Sequence, residues 1–344
     1  MKLLILGGTG WLGGAFASLA VAEGHSVTCL ARGRSGVVPD GAELVRADRD
    51  DASAYSGVVT RNWDSVLEVS WQPGWVRDAV TALGPRAGHW IYVSSGNVYA
   101  RHDVVGADEA AEVLSPTEAD HVAVEQYGPA KAAGELITHD LVGNRLLVAR
   151  AGLIGGPGDT SGRSGYWVAR AARDPQGPML VPDTPAAPTQ VVDVRDLASW
   201  LLTTAERGTT GTFNAVGPVV PFAEWVELAR STAGHQGPVI AAPAQWLLDH
   251  GVKQYMGPES LPMWIIDSSH AGWSARSGAA AGYAGLTHRP RAKVQQDILE
   301  WETTQGLDRA RSCGLSPARE HELLTALGAV SASRPTRWCT QRTT

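Results

Sequence analysis

The strongest constraint on the fold is a glycine-rich segment, Gly7–Gly13, that follows a short apolar run near the start of the chain. The run, Lys2–Leu6, is aliphatic after its first residue, as in a strand that is buried on both faces of a parallel sheet. Beyond the glycines, apolar residues return at helical spacing from Leu12 to Ala22. A strand, a glycine-rich turn and a helix in this order predict the first unit of a doubly wound α/β sheet.

The spacing of Gly7, Gly10 and Gly13 is typical of a cradle for the pyrophosphate of a dinucleotide. Glycines there allow a sharp turn, a close approach of the backbone to the phosphates, and tight packing of the helix on the strand. The phosphates then meet free N–H groups at the positive end of the helix. We expect the other motif residues to line the same cradle, namely Thr9, Trp11 and Leu12. The alternative is a strand-to-helix turn that binds no ligand.

A second apolar run, Ser26–Leu30, follows at the distance expected for the next strand of such a sheet, and the residues after it bear on cofactor choice. An acidic residue there would bind the ribose of NAD, and Ala31 cannot. Arg32 and Arg34 can instead bind a 2′-phosphate through charge-assisted hydrogen bonds. The sequence therefore favours NADP(H), with two solvated surface arginines as the alternative interpretation.

Strands and helices continue to alternate, which predicts a doubly wound parallel sheet, a Rossmann fold. Asp48 follows the third strand, where it can accept a hydrogen bond from an adenine amino group or simply open the next helix. Ser70 lies at the exit of the fourth strand, beside the cofactor. Helices are predicted over 12–22, 75–83, 195–207, 222–233 and 290–304 and from near Tyr127. The predicted strands are Lys2–Leu6, Ser26–Leu30, Glu43–Arg46, Trp63–Val69, His89–Val93 and Arg145–Arg150.

The chain of 344 residues is too long for one minimal domain. After the sixth strand the sequence becomes rich in Gly and Pro, and the predicted strands become short and irregular. We expect residues 1–150 to form the dinucleotide-binding domain, rejoined by about 189–216. Residues 151–330 then form mainly a substrate-binding region, smaller and C-terminal. A Gly- and Ala-rich stretch within it, Gly272–Gly285, is expected to be irregular. The final segment, 331–344, is expected to be a mobile tail.

Composition excludes several classes of function. The net charge is −6 and the basic residues are dispersed among acids, so the sequence shows no basic cluster of the kind that binds nucleic acid. The three cysteines are far apart and lack the spacing of a metal site or a disulfide framework. No apolar run approaches the ~20 residues of a membrane helix, and the start is too short for a signal peptide. We expect a cytoplasmic protein that acts on a small molecule and binds no metal, nucleic acid or membrane.

Three residues can perform acid–base chemistry at the end of the fifth strand. Tyr127 and Lys131 are four apart and therefore share one face of a helix. Ser95 lies at the carboxyl end of the preceding predicted strand. A free tyrosine has a pKa of about 10, so a nearby ammonium and an oxidised nicotinamide would favour its phenolate. Tyr127 can then exchange a proton with a substrate oxygen that Ser95 holds, while Lys131 also binds the cofactor ribose.

These features together resemble the NAD-dependent epimerase/dehydratase family, the extended and atypical branch of the short-chain dehydrogenase/reductases. The resemblance spans roughly residues 1–305. It implies a Rossmann domain with a small C-terminal substrate domain, and a monomer or homodimer. It also implies that Ser95, Tyr127 and Lys131 are the catalytic residues. The matching segments are the glycine motif, Ser94–Tyr99, the Tyr127/Lys131 pair, Gly152–Gly158 and Val192–Ala198.

The resemblance further implies which residues line the cleft. Ser70, Ser94 and Ile154 are implied on the cofactor side. For the segment 163–167 the alternative is the start of a helix that packs on the core. The residues implied on the substrate side are Trp71, Asn97, Tyr99, Arg163, Tyr166 and Trp167.

Two departures from the family pattern favour a reductase. Gly96 and Asn97 stand where sugar dehydratases of the family carry an Asp-Glu pair, so the acid and base for water elimination are missing. Family epimerases generally hold NAD tightly, whereas Ala31 and Arg32 suit an exchangeable NADPH. We therefore expect an NADPH-dependent reductase that transfers hydride to a carbonyl, or an imine, of a small metabolite, with NAD(H) as the alternative cofactor.

Two other functions stay open. One is an NAD-dependent nucleotide-sugar epimerase, for whose diphosphate Arg150, Arg163 and Arg170 are the candidates. The other is a non-catalytic NADP-binding regulator or RNA-associated protein on the same fold. Relatives of that kind tend to lose the Tyr/Lys pair, which this chain keeps.

Overall fold

A parallel sheet of seven strands forms the centre of the chain in a computed structural model that describes residues 1–329. The expected mobile tail, 331–344, lies outside the described residues. In chain order the strands are β1 (Lys2–Leu6), β2 (Ser26–Ala31), β3 (Glu43–Arg46), β4 (Trp63–Glu68), β5 (Ala87–Ser95), β6 (Leu146–Ala151), β7 (Leu153–Gly155), β8 (Met179–Pro182), β9 (Pro188–Asp193), β10 (Gly211–Ala215), β11 (Val219–Pro221), β12 (Val239–Ala242), β13 (Lys253–Tyr255) and β14 (Ser260–Pro262).

Helices connect these strands along the described chain. They are α1 (Trp11–Ala22), α2 (Pro73–Leu83), α3 (Tyr127–Val142), α4 (Tyr166–Arg173), α5 (Val194–Arg207), α6 (Phe222–Ala233), α7 (Ala244–Asp249), α8 (Ala279–Tyr283), α9 (Arg291–Gln305) and α10 (Pro317–Ala326). Among the described residues, no helix combines the length and the apolar character needed to cross a membrane.

The strand order of the sheet is β10-β6-β5-β4-β1-β2-β3, and every neighbouring pair is parallel. The chain runs outward from β1 in one direction and from β4 in the other. The switch point therefore lies between β1 and β4, the place where such sheets bind their ligands. This order confirms the predicted doubly wound, Rossmann-like fold.

Helices cover both faces of the sheet, which explains the continuous aliphatic run in the first strand. Leu3 and Ile5 belong to the core beneath α1 and α5, whereas Leu4 and Leu6 belong to the core beneath α2. All four are at most 1% exposed. A strand in an antiparallel sheet with one solvated face would alternate apolar and polar residues instead.

The region after β6 has its own core. Short sheets, β11-β9-β7 and β12-β8, pack with α4, α6, α9 and α10 around Trp167, Phe222 and Trp264, which are fully buried. The two strands that flank α5 belong to different sheets. The structure places β10 beside β6 in the main sheet and β9 between β7 and β11.

One expectation about this region is wrong. The stretch Gly272–Gly285 is not irregular throughout, because α8 occupies Ala279–Tyr283. Three consecutive alanines favour a helix, and Ala281 is fully buried in the core beneath α5. Small side chains there let the segment pack against the sheet domain.

Close packing of α3 on β5 depends on a glycine. A Cβ at Gly134 would overlap the hydroxyl of Tyr92, which is fully buried. In α1, by contrast, a Cβ at Gly14 would meet its nearest atom, the Gly8 carbonyl oxygen, at an ordinary 3.6 Å. The approach of α3 to the sheet therefore leaves no room for a side chain at Gly134.

We expect Gly134→Ala to lower the free energy of unfolding by about 1–3 kcal/mol, because overpacking outweighs the better helix propensity of alanine. The matched control Gly14→Ala should be neutral or stabilising by up to about 1 kcal/mol. Urea unfolding followed by circular dichroism measures both. Equal midpoints for the two variants would contradict the packing argument.

Candidate active site

The glycine turn between β1 and α1 lies at the switch point of the sheet. Gly7 has a φ of +102°, a conformation that side chains rarely adopt. A Cβ at Gly13 would overlap the Gly7 carbonyl, and one at Gly10 would lie only 3.3 Å from the same oxygen. Gly10 caps α1 without a side chain and the first turn of α1 carries no acid, so its free N–H groups are available to an anion.

A cleft of about 220 Å³ opens above this turn. The Ser70 hydroxyl, at the edge of this cleft, is buried and has no partner within the described chain. Backbone amides, basic side chains and an unpartnered hydroxyl fit the phosphates and riboses of a dinucleotide. The lining includes Gly7, Thr9, Gly10, Arg32, Arg34, Ala47, Asp48, Ser70 and Trp75.

Two other motif residues take up different positions. Leu12 packs its side chain into the core beneath α1, so only its backbone N–H is left for a ligand. Trp11 donates its indole N–H to the Pro157 carbonyl at 2.8 Å and lies against Gly158. Trp11 therefore ties the glycine turn to the loop that follows β7. Ile154, within β7, is half-buried at the same junction.

Arg32 and Asp48 face each other across the mouth of the cleft. The Arg32 Nη1 lies 4.0 Å from the Asp48 Oδ2, and the side chains are 45% and 39% exposed. An exposed pair at this distance contributes little, so both groups can turn to a ligand. Arg34 is exposed on the same rim. Asp48 opens a series of turns rather than a helix.

An ion pair that sequence reasoning missed supports the floor of the cleft. Glu68, the last residue of β4, is fully buried and accepts hydrogen bonds from Arg49 Nη1 at 2.9 Å and Nη2 at 2.6 Å. Glu68 also accepts the Ser70 N–H at 2.8 Å, and Arg49 Nε donates to the Tyr55 hydroxyl at 2.9 Å. A charged residue ending an apolar strand is the signal in the sequence, but its partner cannot be read from spacing.

The proposed catalytic serine and tyrosine meet at the end of β5. Ser95, the last residue of that strand, donates to the Asn97 Oδ1 at 2.8 Å and accepts the Asn97 N–H at 3.2 Å. Tyr127 opens α3, and burial raises its pKa above the usual 10, while a hydrogen bond with Ser95 and the charge of Arg163 act in the opposite direction. At neutral pH Tyr127 is therefore a protonated phenol.

Lys131 lies one turn further along α3, with its ammonium inside the protein. The Nζ donates to the carbonyl of Ser70 at 2.7 Å and to that of Val93 at 2.6 Å. Burial lowers the pKa of Lys131 to about 7, although Glu68 and Glu135 oppose the shift. The Nζ also lies 4.8 Å from the ring centroid of Tyr92.

The charge that acts on Tyr127 differs from the one expected. Lys131 Nζ is 6.0 Å from the ring centroid of Tyr127 and is hydrogen-bonded to backbone carbonyls. The groups that lower the pKa of Tyr127 are Ser95 and Arg163. On its other side the ring of Trp71 approaches the Tyr127 ring, with centroids 5.5 Å apart. The structure thus brings Trp71, Asn97 and Arg163 close to the serine–tyrosine pair.

Two residues expected in the cleft belong to a buried network instead. Ser94 is 2% exposed and donates to Glu135 at 2.5 Å, and Arg150 holds the same carboxylate at 2.8 Å. Tyr99 is 1% exposed and donates to Asn214 at 2.6 Å. Because these hydroxyl groups are satisfied inside the protein, the Ser94 side chain is not a cofactor contact and Tyr99 is not a substrate contact.

Tyr166 and Trp167 are also corrected. They begin α4, and their side chains are 4% and 0% exposed in the core of the C-terminal region. Trp167 donates its indole N–H to the Pro262 carbonyl at 3.0 Å. The alternative interpretation of this segment, a helix start packed on the core, is the right one for these two residues.

We expect Glu68→Gln to lower the free energy of unfolding by about 3–5 kcal/mol, because the buried Arg49 guanidinium loses its counter-charge. The control Glu43→Gln removes the partner of Arg61 in an exposed ion pair and should cost less than about 1 kcal/mol. Denaturant unfolding of both variants measures the difference. A similar small loss for both would show that Arg49 is stabilised without Glu68.

Comparison with known proteins bears on the fold. No family model matches the sequence, and no curated protein is detectably similar. Solved structures do match. The Bordetella bronchiseptica enzyme WbmG, in complex with NAD and UDP, is 14% identical with a TM-score of 0.65, covering 92% of this chain and 99% of its own. UDP-glucose 4-epimerase from Thermus thermophilus, in complex with NAD, is 16% identical with a TM-score of 0.61, covering 88% and 98%.

A third match is UDP-N-acetylglucosamine 4-epimerase from Bacillus cereus, 16% identical with a TM-score of 0.60, covering 87% of this chain and 98% of its own. At these identities the likeness concerns the fold. The chain therefore has the same fold as these solved structures, a Rossmann sheet followed by a smaller C-terminal region.

Proposed function

We propose that the protein is an NADP(H)-dependent reductase that transfers hydride to a carbonyl, or an imine, of a small metabolite. The observation that carries the proposal is the meeting of Ser95 and Tyr127 at the carboxyl end of β5, one helical turn from the buried Lys131. This group adjoins the cleft above the glycine turn, because Lys131 donates to the carbonyl of Ser70, which lines that cleft.

The chain supplies a complete set of contacts for the cofactor. The N–H groups at the start of α1 would bind the pyrophosphate, and the Ser70 hydroxyl and the Lys131 ammonium would donate to the nicotinamide ribose. When bound, the nicotinamide supplies or accepts the hydride. Asp48, which lines the same cleft, would accept a hydrogen bond from the adenine amino group.

In this proposal Tyr127 is the residue that transfers the proton. In the reducing direction its phenol donates a proton to the substrate oxygen, and Ser95 turns its hydroxyl from Asn97 to the same oxygen. The charge of Arg163 stabilises the phenolate that remains. Partial burial of the phenol makes the positive charge of Arg163 more effective than it would be in water.

The preference for NADP(H) rests on the end of β2. Ala31 offers no acceptor to a ribose 2′-hydroxyl, and Arg32 is half exposed with only a weak partner in Asp48. A 2′-phosphate between Arg32 and Arg34 would gain charge-assisted hydrogen bonds. NAD(H) lacks that phosphate and is the weaker ligand in this proposal.

A sugar-nucleotide epimerase is the second candidate, because several similar structures are UDP-sugar 4-epimerases. The site offers little for a diphosphate, however. Arg150 is buried against Glu135, and Arg170 is buried against Glu320, so two of the three candidate arginines are engaged. Arg163 alone of the three makes no ion pair within the described chain. The non-catalytic alternative is tested by the tyrosine variant below.

We expect Arg32→Ala to weaken NADPH binding at least tenfold and to leave NADH binding within twofold, because only the 2′-phosphate is lost as a partner. Arg86→Ala, which removes an exposed arginine just before β5, is the control and should change neither affinity. Quenching of tryptophan fluorescence gives the dissociation constants. Equal weakening for both cofactors would contradict the assignment of Arg32.

Tyr127→Phe should lower kcat for carbonyl reduction by about 10²–10⁴-fold and leave NADPH affinity unchanged, because only the proton donor is removed. Since the pKa of Tyr127 is raised, the phenol stays protonated at neutral pH and the wild-type rate should show no tyrosine-dependent fall below about pH 10. Steady-state kinetics across pH measure both. Full cellular function of the variant would favour the regulator, and full activity in the test tube would contradict the assignment of Tyr127 as the proton donor.

A further inference from the structure

Arg163 is a half-buried cation without an acidic partner. Its Nε donates to the Ser161 hydroxyl at 3.1 Å, and its other side-chain partner is the Tyr255 hydroxyl. No carboxylate lies within 4.0 Å of its guanidinium among residues 1–329. Arg276 also lacks an acid, but it donates to the Arg101 carbonyl at 2.9 Å and lies 3.8 Å from the ring centroid of Tyr99. Most other arginines of the C-terminal region are matched with acids: Arg170 and Arg173 with Glu320, Arg195 with Asp193 and Asp297, and Arg309 and Arg311 with Glu302.

The acid nearest to Arg163 in sequence is already engaged. Asp159 is 4% exposed and accepts hydrogen bonds from the N–H groups and hydroxyls of Ser161 and Ser164 at 2.5–3.2 Å. These contacts close the turn that leads into α4. Asp159 therefore shapes the loop that presents Arg163 and does not pair with it.

Arg163 lies between the proton donor and a second tyrosine. Its charge lowers the pKa of Tyr127 and that of Tyr255, against the effect of burial on both. The guanidinium carbon is 5.8 Å from the ring centroid of Tyr255. The charge of Arg163 would therefore also act on a substrate oxygen that Ser95 and Tyr127 hold.

Beyond Tyr255 is an aromatic hollow of about 260 Å³. The rings of Tyr255 and Trp273 meet edge to face with centroids 5.9 Å apart. The volume is below that of pockets that enclose whole drug-sized ligands, and suits one ring or a short branched chain. Asp267 on the rim would repel an anion. The lining residues are Gln254, Tyr255, Ile265, Asp267, His270 and Trp273.

We propose that the substrate carries a single carboxylate, which Arg163 binds, and an apolar group of about one ring, which occupies the aromatic hollow. This inference rests on the proposed function for the position of the reacting carbonyl, beside Ser95 and Tyr127. A guanidinium matches one carboxylate with two parallel hydrogen bonds. The anionic end lies at Arg163 and the apolar end lies toward Trp273, because Asp267 disfavours the opposite orientation.

The direct test is calorimetric binding of 3-phenylpropanoate and of its neutral analogue 3-phenylpropanamide to the purified protein saturated with NADP⁺. We expect the carboxylate to bind at least tenfold more tightly than the amide. Arg163→Met should remove this difference, Arg163→Lys should keep part of it, and Trp273→Leu should weaken both ligands alike. Arg86→Met removes a distant exposed arginine and should leave the difference unchanged. Circular dichroism and NADPH binding establish that each variant is folded.

Several results would overturn the inference. They are equal binding of the carboxylate and the amide, absence of binding by both, and a difference that survives in Arg163→Met. If UDP bound more tightly than 3-phenylpropanoate, and if this binding depended on Arg163, the group that Arg163 binds would be a diphosphate and not a carboxylate.

The binding test involves no hydride transfer, so it separates this inference from the proposed function. Arg163-dependent binding without reduction of the corresponding 2-oxo acid, 3-phenylpyruvate, would contradict the reductase and leave the carboxylate site standing. Reduction of 3-phenylpyruvate with unchanged kcat/KM in Arg163→Met would contradict the carboxylate site alone.

Discussion

Lys131 holds the candidate active site together, because its buried ammonium connects α3, β5 and the segment that follows β4. It projects from α3 and donates to the carbonyls of Val93 in β5 and Ser70 just after β4. Burying an ammonium is costly, and the lowered pKa of Lys131 reflects that cost. Two carboxylates, Glu68 and Glu135, offset part of it, and each is held by its own arginine. The register of α3 and the strand ends is thus fixed by electrostatics as well as by packing.

Much of the sheet could be predicted from the sequence, because strands buried on both faces leave continuous apolar runs. The bounds of β1, β3 and α6 agree with the predicted ones. Side-chain environments were harder to predict. Tyr99 and Trp167 were assigned to the cleft by resemblance to a family, yet both are buried where their polar atoms meet partners distant in sequence. The pairing of Glu68 with Arg49 is also non-local, so spacing could not reveal it.

The arginines differ in whether an acidic side chain neutralises them, and this difference distinguishes the cofactor end of the site from the substrate end. In the described C-terminal region most buried guanidinium groups are neutralised by acids, which tie α4 to α10, and α9 to α5 and to the segment that follows α9. In the proposed function, Arg163 and Arg32 are the arginines that bind ligands. Arg32 at the cofactor end would then bind an extra phosphate, and Arg163 at the substrate end would bind one anionic group. An epimerase that retains NAD and acts on a nucleotide sugar would instead need an acidic group at the cofactor ribose and more positive charge at the substrate end, where a diphosphate binds.

The measurement that tests the central claim most directly is identification of the nucleotide that the native protein retains. Protein purified without added cofactor would be denatured, and the released nucleotide quantified by chromatography and mass spectrometry. An exchangeable NADP(H) reductase should release well below one equivalent, and what is released should be NADP⁺ or NADPH. One equivalent of tightly held NAD would contradict the account and place the epimerase first.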